Sequence, residues 1–203
     1  MKPVNSHSDY IDFMRKYAQK TPLPTHFDAC LVIDVQDKFC CPAKSHFGSY
    51  YTLNAAQNVQ QFAPQLRAHD IHLYSIYYDF TPYKDGQDDF IHYQHTDKDT
   101  LIRKNAPSAF EGFDNGLKEK LTLNKHFNLL VMGVYLDACV AATAMDAAQL
   151  GFKPWVVLDC SGSVKGHNNF SPKKMSMQVL DGMRAKGVGF TLSNTALDQI
   201  KPT

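Results

Sequence analysis

The sequence predicts an α/β protein in which helices cover both faces of a doubly wound, mostly parallel six-stranded sheet. Short apolar segments alternate along the 203 residues with segments of helical periodicity, as expected for parallel strands joined by crossover helices. Several apolar segments show no polar alternation, which is typical of strands buried on both faces. The hydrophobic content of 44% is sufficient for a sizeable core, so we expect a single domain over residues 1–203.

Six segments are interpreted as strands. The segment from Cys30 to Ile33 is apolar throughout, and the segment from Ile71 to Tyr78 is rich in aromatic and β-branched residues. A further apolar run ends at Gly133. The predicted strands are residues 30–33, 71–78, 101–103, 128–132, 153–158 and 188–192.

Helices are predicted before, between and after these strands. Residues 1–25 form an N-terminal helical extension, in which Ser8 is a candidate helix cap. The apolar face of this first helix carries Tyr10, Phe13, Met14 and Tyr17. Further helices are predicted at residues 52–69, 115–121, 139–151 and 172–186. Pro64 is expected to limit or kink the first of these, and the polar, turn-rich stretch 79–99 is typical of a functional loop.

Charge and cysteine content argue against several function classes. The formal net charge of +1 favours neither nucleic acid nor an anionic membrane as a partner. Residues 1–20 lack the apolar core of a signal peptide, and no segment has the length of a membrane span, so we expect a cytoplasmic location. The five cysteines show no C-x-x-C spacing, which favours reduced thiols over disulfides or a zinc site.

Three of the predicted strands are followed by residues suited to nucleophilic chemistry. Asp34 follows the strand in VIDVQDKF, Lys104 follows the strand in IRKNAPSAF, and Cys139 stands in the turn after the fourth strand. Because the carboxyl ends of parallel strands meet at one edge of a sheet, we expect the three side chains to form a nucleophilic site. Each also has a structural interpretation: Asp34 as a turn cap, Lys104 as a solvated lysine and Cys139 as a small buried hydrophobe.

The position of Cys139 predicts an activated thiol. In VMGVYLDACVAATAMDAAQLGF, the small apolar residues after Cys139 recur at helical intervals up to Gly151. The N-terminus of a helix carries a partial positive charge and N–H groups without intrahelical partners, and both favour thiolate over thiol. We therefore expect the surroundings of Cys139 to lower the pKa of its thiol.

These motifs resemble those of the isochorismatase-like cysteine hydrolases, a superfamily that includes nicotinamidases, N-carbamoylsarcosine amidohydrolases, ureidoacrylate-type amidohydrolases and isochorismatases. VIDVQDKF resembles the D-x-Q-x-x-F motif, RKNAPSAF the lysine motif, and GVYLDACVAATAMDAAQLGF the nucleophile turn and helix. VVLDCSGS matches the strand and acidic turn that follow, so the resemblance runs from about Ala29 to about Ser163. It implies the Rossmann-like, three-layer α/β/α fold of that family.

The resemblance also implies a role for each reactive residue. Cys139 would be the nucleophile, Asp34 the base that takes its proton and later activates water, and Lys104 the cation that stabilises both. The backbone N–H groups of Tyr135 and Cys139 would bind the oxyanion, presented by a turn with a cis peptide bond between Val134 and Tyr135. Relatives commonly form dimers or tetramers, so a homo-oligomer is expected.

The presence of Cys139 favours cleavage of a carbon–nitrogen bond, since isochorismatases proper cleave a vinyl ether without a cysteine at this position. The expected substrate is a small amide, ureido or carbamoyl compound, hydrolysed through a thioester-type intermediate without a cofactor. The predicted substrate-binding residues are Phe39, Phe110, Tyr135 and Tyr78. Such an aromatic, largely neutral pocket favours a small planar or apolar amide. Tyr83 and His92 are weaker candidates.

No metal site is predicted. Nicotinamidases carry an Asp-x-His motif after the second central strand, and YYDFTP retains Asp79 but places Thr81 where the first histidine belongs. His92 and His95 in the same loop could rebuild a site, so a metal-dependent nicotinamidase-like enzyme is an alternative. The sequence is also compatible with a catalytically silent binding module of the same fold, and with a thiol redox protein in which Cys160 is the resolving thiol.

Overall fold

The computed structural model describes residues 7–18, 23–43, 47–79, 93–112, 114–163 and 172–200. Its strands are β1 (Ala29–Ile33), β2 (His72–Tyr78), β3 (Thr100–Lys104), β4 (Asn128–Val134), β5 (Lys153–Gly162) and β6 (Gly189–Thr191). Its α-helices are α1 (His7–Ala18), α2 (Asp37–Cys40), α3 (Tyr50–Ala68), α4 (Leu117–Leu123), α5 (Ala141–Gln149), α6 (Pro172–Ala185) and α7 (Ser193–Gln199). A π-helical turn, Leu136–Val140, directly precedes α5.

The six strands form one sheet in the order β3-β2-β1-β4-β5-β6, and every neighbouring pair is parallel. The predicted fold class is thus confirmed, and the described sheet is wholly parallel. From β1 to β3 the chain moves outward in one direction, and from β4 to β6 it moves outward in the other. Ligand sites in open sheets of this kind lie at the carboxyl ends of the strands, where the order reverses. Here the reversal falls between β1 and β4.

The apolar core lies on both faces of the sheet. In β1, Leu31 and Ile33 belong to one apolar cluster, whereas Cys30 and Val32 belong to the other. The first cluster includes buried residues of α1, α4, α5 and α6, and the second includes buried residues of α2, α3 and α7. Every residue of β1 is buried, which confirms the interpretation of this segment as a strand covered on both faces. Each fully buried aliphatic side chain contributes roughly 1.5–3 kcal/mol to this core.

Helix α1 packs against α6 and β6 through one aromatic residue. The ring of Tyr17 meets the ring of Phe190 edge to face at 5.3 Å between centroids, and the guanidinium of Arg184 lies 4.1 Å from the Tyr17 ring centroid. The Tyr17 hydroxyl donates to Asp181 at 2.5 Å. The N-terminal extension therefore covers part of the sheet on the side of β6.

The structure departs from the predicted elements in three places. Helix α3 continues through Pro64 to Ala68. Pro64 removes only the hydrogen bond to the carbonyl of Gln60, and both residues are exposed, so water can satisfy that carbonyl. The short helices α2 and α7 were not predicted: α2 has only four residues, too few to establish a helical period, and α7 has a single buried residue, Ala196, so no apolar stripe marks it. None of the helices in the described part of the chain combines the length and apolar character needed to cross a membrane.

Candidate active site

Asp34 follows β1 directly, beside the reversal of strand order. Its φ of 50° lies in the left-handed region, which aspartate adopts more readily than most other side chains. Its N–H donates to the carbonyl of Ile76 on β2 at 2.9 Å, and its carbonyl accepts from the N–H of Gln36 at 2.7 Å. This tight turn leaves the Asp34 side chain only 2% exposed at the carboxyl edge of the sheet.

Gln36 fixes the same turn to the end of β2, a role that sequence reasoning missed. Its side-chain oxygen accepts from the N–H of Tyr78 at 2.8 Å, and its side-chain nitrogen donates to the carbonyl of Tyr78 at 3.2 Å. The signal in the sequence is the glutamine of the D-x-Q-x-x-F motif, to which sequence reasoning assigned no role. Its partners are backbone groups, which no sequence pattern identifies.

Lys104 is the last residue of β3 and is fully buried. Its ammonium lies 2.8 Å from Oδ2 of Asp34 and donates to the carbonyls of Ala106 at 2.9 Å and Pro107 at 3.2 Å. The three N–H groups of the ammonium therefore each have an acceptor, as a buried charge requires. The ring centroid of Tyr78 lies 4.6 Å from the same nitrogen. These contacts exclude the interpretation of Lys104 as a solvated loop lysine.

Cys139 lies in the turn between β4 and α5, as predicted. Strand β4 ends at Val134, the peptide bond to Tyr135 is cis, and the π-helical turn begins at Leu136. The carbonyl of Tyr135 accepts from the N–H groups of Ala138 and Val140, both at 3.0 Å. Cys139 lies between these two donors, and its own N–H does not donate to the Tyr135 carbonyl. π-Helical turns of this kind are frequent at functional sites.

Gly133 allows the ends of β1 and β4 to approach each other closely. Its φ of 125° is a conformation that side-chain-bearing residues rarely adopt. A Cβ atom at this position would collide with the carbonyl oxygen of Ile33, its partner on β1. The absence of a side chain therefore brings the Cys139 turn beside the Asp34 turn.

The Asp34 carboxylate is held in a poorly solvated place. Burial raises its pKa above the ordinary value, and the Lys104 ammonium and the Cys139 thiol offset only part of that rise. Among the described residues, no backbone N–H donates to its oxygens. Asp34 is therefore a stronger base than an exposed aspartate.

The thiol of Cys139 is partly buried and touches both other groups. Burial raises its pKa to about 12, the Asp34 carboxylate raises it further, and the Lys104 ammonium opposes the shift. The expectation that the helix start would lower this pKa is therefore wrong for the protein without substrate. Helix α5 begins only at Ala141, and desolvation with a neighbouring negative charge outweighs a helix charge of about +0.5.

Three of the four predicted substrate-binding residues adjoin the triad. The ring of Phe39 contacts the rings of Tyr78 and Tyr135 edge to face, with centroid distances of 6.3 Å and 5.7 Å. Tyr78 also donates its hydroxyl to the carbonyl of Asn105 at 3.0 Å. A continuous aromatic wall thus runs from Lys104 to the Cys139 turn.

Phe110 makes a different set of contacts. Its ring stacks on that of Phe152, with centroids 5.9 Å apart, and it packs against the apolar cluster beneath α5. Phe152 precedes β5 at the amino end of the strand, whereas the triad lies at the carboxyl ends. These are the contacts of a core residue, so the substrate-binding role of Phe110 stays a prediction without a contact to support it.

The residues considered for a metal site are only partly described. Asp79 is buried, and its Oδ2 lies 3.2 Å from the guanidinium of Arg103. Thr81, Tyr83 and His92 lie outside the described residues. Within the described ranges, no three side chains of His, Cys, Asp or Glu converge as a metal site requires.

Cys160 lies on the opposite face of the sheet from Cys139. It is fully buried in the apolar cluster on the α3 side, whereas Cys139 packs against the cluster on the α5 side. Burial also raises the pKa of the Cys160 thiol well above its ordinary value. The sheet therefore separates Cys139 from the resolving thiol that a redox function would need.

Known proteins are similar to this chain in sequence and in fold. The family model described as Isochorismatase domain matches residues 28–191. Over 94 residues, the chain is 34% identical to the nicotinamidase of Escherichia coli strain K12, a match that covers 43% of this chain and 41% of that protein. The match therefore spans about two fifths of the length of that curated relative.

Solved structures resemble this fold over most of its length. A putative isochorismatase-family hydrolase from Chromobacterium violaceum has a TM-score of 0.75 at 24% identity, covering 89% of this chain and 98% of its own. A cysteine hydrolase from Pseudomonas syringae pv. phaseolicola has a TM-score of 0.76 at 17% identity, covering 89% of this chain and 95% of its own. An N-carbamoylsarcosine amidase from Thermoplasma acidophilum has a TM-score of 0.65 at 18% identity, covering 82% of this chain and 96% of its own.

Proposed function

This chain belongs to the isochorismatase family, and we propose that it is a cysteine-dependent amidohydrolase acting on a carbon–nitrogen bond of a small amide, ureido or carbamoyl compound. One observation carries the proposal. The carboxylate of Asp34 and the ammonium of Lys104 lie 2.8 Å apart, and both interact with the thiol of Cys139 at the carboxyl edge of the sheet, although the three groups come from separate strand ends. A nucleophile, a base and a buried cation in contact are the parts that acyl transfer requires.

The first half of the reaction forms a thioester. As the sulfur of Cys139 attacks the substrate carbonyl carbon, Asp34 takes the thiol proton, so the thiolate need not exist before substrate arrives. The raised pKa of Asp34 reduces the mismatch between this base and a thiol whose pKa is about 12. The tetrahedral intermediate then collapses, the carbon–nitrogen bond breaks, and Asp34 returns the proton to the leaving nitrogen.

The second half of the reaction regenerates the thiol. Asp34 takes a proton from water, the resulting hydroxide attacks the thioester carbon, and the carbon–sulfur bond breaks. The sulfur recovers a proton through Asp34, and the acid product leaves. Lys104 holds the Asp34 carboxylate in place, because the other two N–H groups of its ammonium donate to the carbonyls of Ala106 and Pro107.

The turn around Cys139 supplies candidate donors for the oxyanion. The N–H of Cys139 is not paired with the Tyr135 carbonyl, which instead accepts from Ala138 and Val140. The N–H of Tyr135 belongs to the cis peptide bond that starts the same turn. Two fixed N–H groups beside the nucleophile suit a developing negative charge, and each such donor is typically worth about 2.7–4 kcal/mol of barrier.

A screen for ammonia release tests the proposal. Purified wild type and Cys139→Ala are incubated in parallel with small amides, ureas and carbamoyl compounds. We expect turnover that Cys139→Ala abolishes without loss of secondary structure. Cys160→Ala is the matched control and should retain turnover, because Cys160 lies across the sheet. Turnover near the wild-type rate in Cys139→Ala would remove Cys139 from the mechanism.

A nicotinamidase-like activity is a second candidate, favoured by the match to a curated nicotinamidase. Nicotinamide therefore belongs in the screen, and elemental analysis of the purified protein tests for a bound metal. A silent binding module would show neither turnover nor selective alkylation of Cys139 by iodoacetamide. The predicted dimer or tetramer is tested by the mass of the protein in solution.

A further inference from the structure

The side chain of Tyr135 is held at both ends beside the reactive groups. Its hydroxyl donates to the carbonyl of Phe47 at 3.0 Å, and its ring contacts the ring of Phe39 edge to face at 5.7 Å between centroids. Burial raises the pKa of its phenol, and the electrostatic effects of Cys40, Cys139 and Asp34 raise it further. The ring therefore lies within electrostatic reach of the nucleophile and its base.

The carbonyl that receives this hydroxyl belongs to a tightly packed segment. A Cβ atom on Gly48 would lie 2.5 Å from the carbonyl carbon of Cys41 and 2.6 Å from the nitrogen of Pro42, so the two stretches of backbone are in contact. Ser49 caps α3: its hydroxyl accepts from the N–H of Thr52 at 3.2 Å, and its N–H donates to the Thr52 hydroxyl at 2.7 Å. The acceptor for Tyr135 thus directly precedes a fixed stretch of backbone.

The described rings of the aromatic wall leave no room for a further ring between them. Two rings that sandwich a third need centroids about 7 Å apart with their faces parallel, whereas touching edge-to-face pairs lie about 4.5–7 Å apart. Phe39 and Tyr135 lie 5.7 Å apart with their planes at 79°, and Phe39 and Tyr78 lie 6.3 Å apart, also at 79°. A substrate ring that entered between Phe39 and Tyr135 would have to displace Tyr135 and break its bond to Phe47.

We propose that Tyr135 is the specificity-determining residue of this site, and that its ring, held by the Phe47 carbonyl, restricts substrates to small, non-aryl acyl, ureido or carbamoyl groups. This inference rests on the proposed amidohydrolase function and narrows its substrate class. It counts against the nicotinamidase-like alternative, because nicotinamide carries an aromatic ring on the carbonyl that is attacked. The backbone N–H of the same residue is a candidate oxyanion donor, so the tether to Phe47 positions that donor as well as the wall.

Alkylation of Cys139 tests whether the Tyr135 ring excludes aryl groups, and it does not require turnover of a substrate. The rates with iodoacetamide, a small reagent, and N-phenylmaleimide, an aryl reagent, are measured at one pH for the wild type, Tyr135→Phe and Tyr135→Ala. Both reagents react with the thiolate, so the thiolate fraction cancels when one rate is divided by the other. A change in the pKa of the thiol therefore does not affect the ratio of the two rates. Tyr50→Ala is the matched control, because the side chain of Tyr50 is 81% exposed.

We expect Tyr135→Ala to raise the ratio of aryl to small alkylation by about tenfold or more, the range in which pocket size discriminates. Tyr135→Phe keeps the ring and loses the bond to Phe47, so a smaller rise of about fivefold is expected. Tyr50→Ala should match the wild type. A Tyr135→Ala ratio equal to that of the wild type would overturn the inference, and Tyr135→Leu replaces this variant if it does not fold.

Hydrolysis provides the second measurement. For a wild type that releases ammonia from acetamide, we expect benzamide to be a poor substrate and Tyr135→Ala to improve benzamide relative to acetamide. Efficient hydrolysis of benzamide by the wild type would overturn the inference and leave the proposed function intact. Absence of turnover on every amide would instead count against the proposed function, while the alkylation ratio would still decide the role of Tyr135.

Discussion

Two buried aspartates of this sheet each pair with a basic side chain, and their pKa values shift in opposite directions. Oδ2 of Asp34 lies 2.8 Å from the Lys104 ammonium, and Oδ2 of Asp99 lies 2.6 Å from the Arg67 guanidinium. Burial alone would raise both pKa values. The pKa of Asp34 does rise, whereas hydrogen bonds from Arg67 and Thr96 bring that of Asp99 below its usual value.

Asp34 lies deeper in the protein than Asp99 and has fewer donors, and both differences contribute. Arg67 donates twice to Asp99, at 2.9 Å and 2.6 Å, and the N–H of Thr96 donates at 3.0 Å. The hydroxyl of Tyr93 adds a contact at 3.3 Å. Asp34 has one ammonium and one thiol, and within the described structure no backbone N–H donates to it. Hydrogen bonds to the charged form lower a carboxyl pKa, and their scarcity leaves the carboxylate basic.

The comparison shows how a structural carboxylate and a candidate catalytic one can be distinguished in one protein. Asp99 lies just before β3, at the amino edge of the sheet, and links α3 to the segment that leads into β3. Asp34 lies at the carboxyl edge, beside a thiol that it can deprotonate. An ion pair alone therefore does not indicate an active site, whereas an under-bonded carboxylate next to a thiol favours one.

The largest expected effect comes from Asp34→Asn. Removing the base should lower kcat/KM for ammonia release by about 10²- to 10⁴-fold. The same change removes the negative charge that raises the thiol pKa, so Cys139 should react faster with iodoacetamide near pH 8. Hydrolysis and alkylation would thus change in opposite directions.

Asp99→Asn is the matched control for that experiment. It also removes a buried carboxylate from an ion pair, but that pair lies away from Cys139. The rates of ammonia release and of alkylation by iodoacetamide should therefore stay at the wild-type level. Parallel losses of hydrolysis in the two variants would erase the distinction between the two aspartates.

Asp99→Asn should instead act on stability. The Arg67 side chain is 17% exposed and Asp99 is 1% exposed, so the substitution leaves a mostly buried guanidinium without its counter-charge. We expect the free energy of unfolding at pH 7 to fall by about 3 kcal/mol, measured by urea denaturation. An unchanged urea midpoint would show that the Asp99 pair contributes no stability.

The pH dependence of stability should separate the two residues by sign. Because the folded pKa of Asp99 lies below its unfolded value of about 3.9, its contribution is present above that pH and is lost as pH falls through the folded pKa. Because the folded pKa of Asp34 lies above its unfolded value, its contribution is present at low pH and is lost as pH rises through the folded pKa.

Urea titrations across pH 3 to 7 check these signs, by giving the free energy of unfolding of each variant relative to that of the wild type. The stability deficit of Asp99→Asn should shrink below about pH 4. Relative to the wild type, Asp34→Asn should gain stability as pH rises above about 4. The kcat/KM of the wild type should fall on the acid side through the raised pKa of Asp34, and shifts of equal sign in both variants would contradict the comparison.

The smallest expected effect is that of Tyr93→Phe. Its hydroxyl contacts the hydroxyl of Ser75 at 2.7 Å as well as Asp99, in a buried position. Losing these hydrogen bonds should cost about 1 kcal/mol of unfolding free energy and leave ammonia release unchanged. Tyr50→Phe, at an exposed position, should change neither quantity. If Tyr93→Phe lowered the free energy of unfolding as much as Asp99→Asn does, most of the stability would come from the Tyr93 hydroxyl and not from the ion pair.

Much of the site could be predicted because its residues follow strands. The apolar runs before Asp34 and Cys139 and the short strand before Lys104 are visible in the sequence, and parallel strands bring their carboxyl ends to one edge. The cis bond between Val134 and Tyr135 was likewise expected from the family resemblance and is present. What the sequence did not reveal was the surroundings of each group, as the core contacts of Phe110 and the clamp of Gln36 on Tyr78 show.

The sequence by itself determined which residues form the strands, the order in which the polar residues follow them, and the glycine that lets β1 and β4 approach. Only the tertiary structure decided that burial raises the pKa of the Cys139 thiol, that Asp34 is the under-bonded carboxylate and that the Tyr135 hydroxyl donates to the carbonyl of Phe47. Periodicity and motifs are local properties that the order of residues encodes directly. A pKa or a fixed ring depends on desolvation and on partners from distant segments, which exist only once the chain has folded.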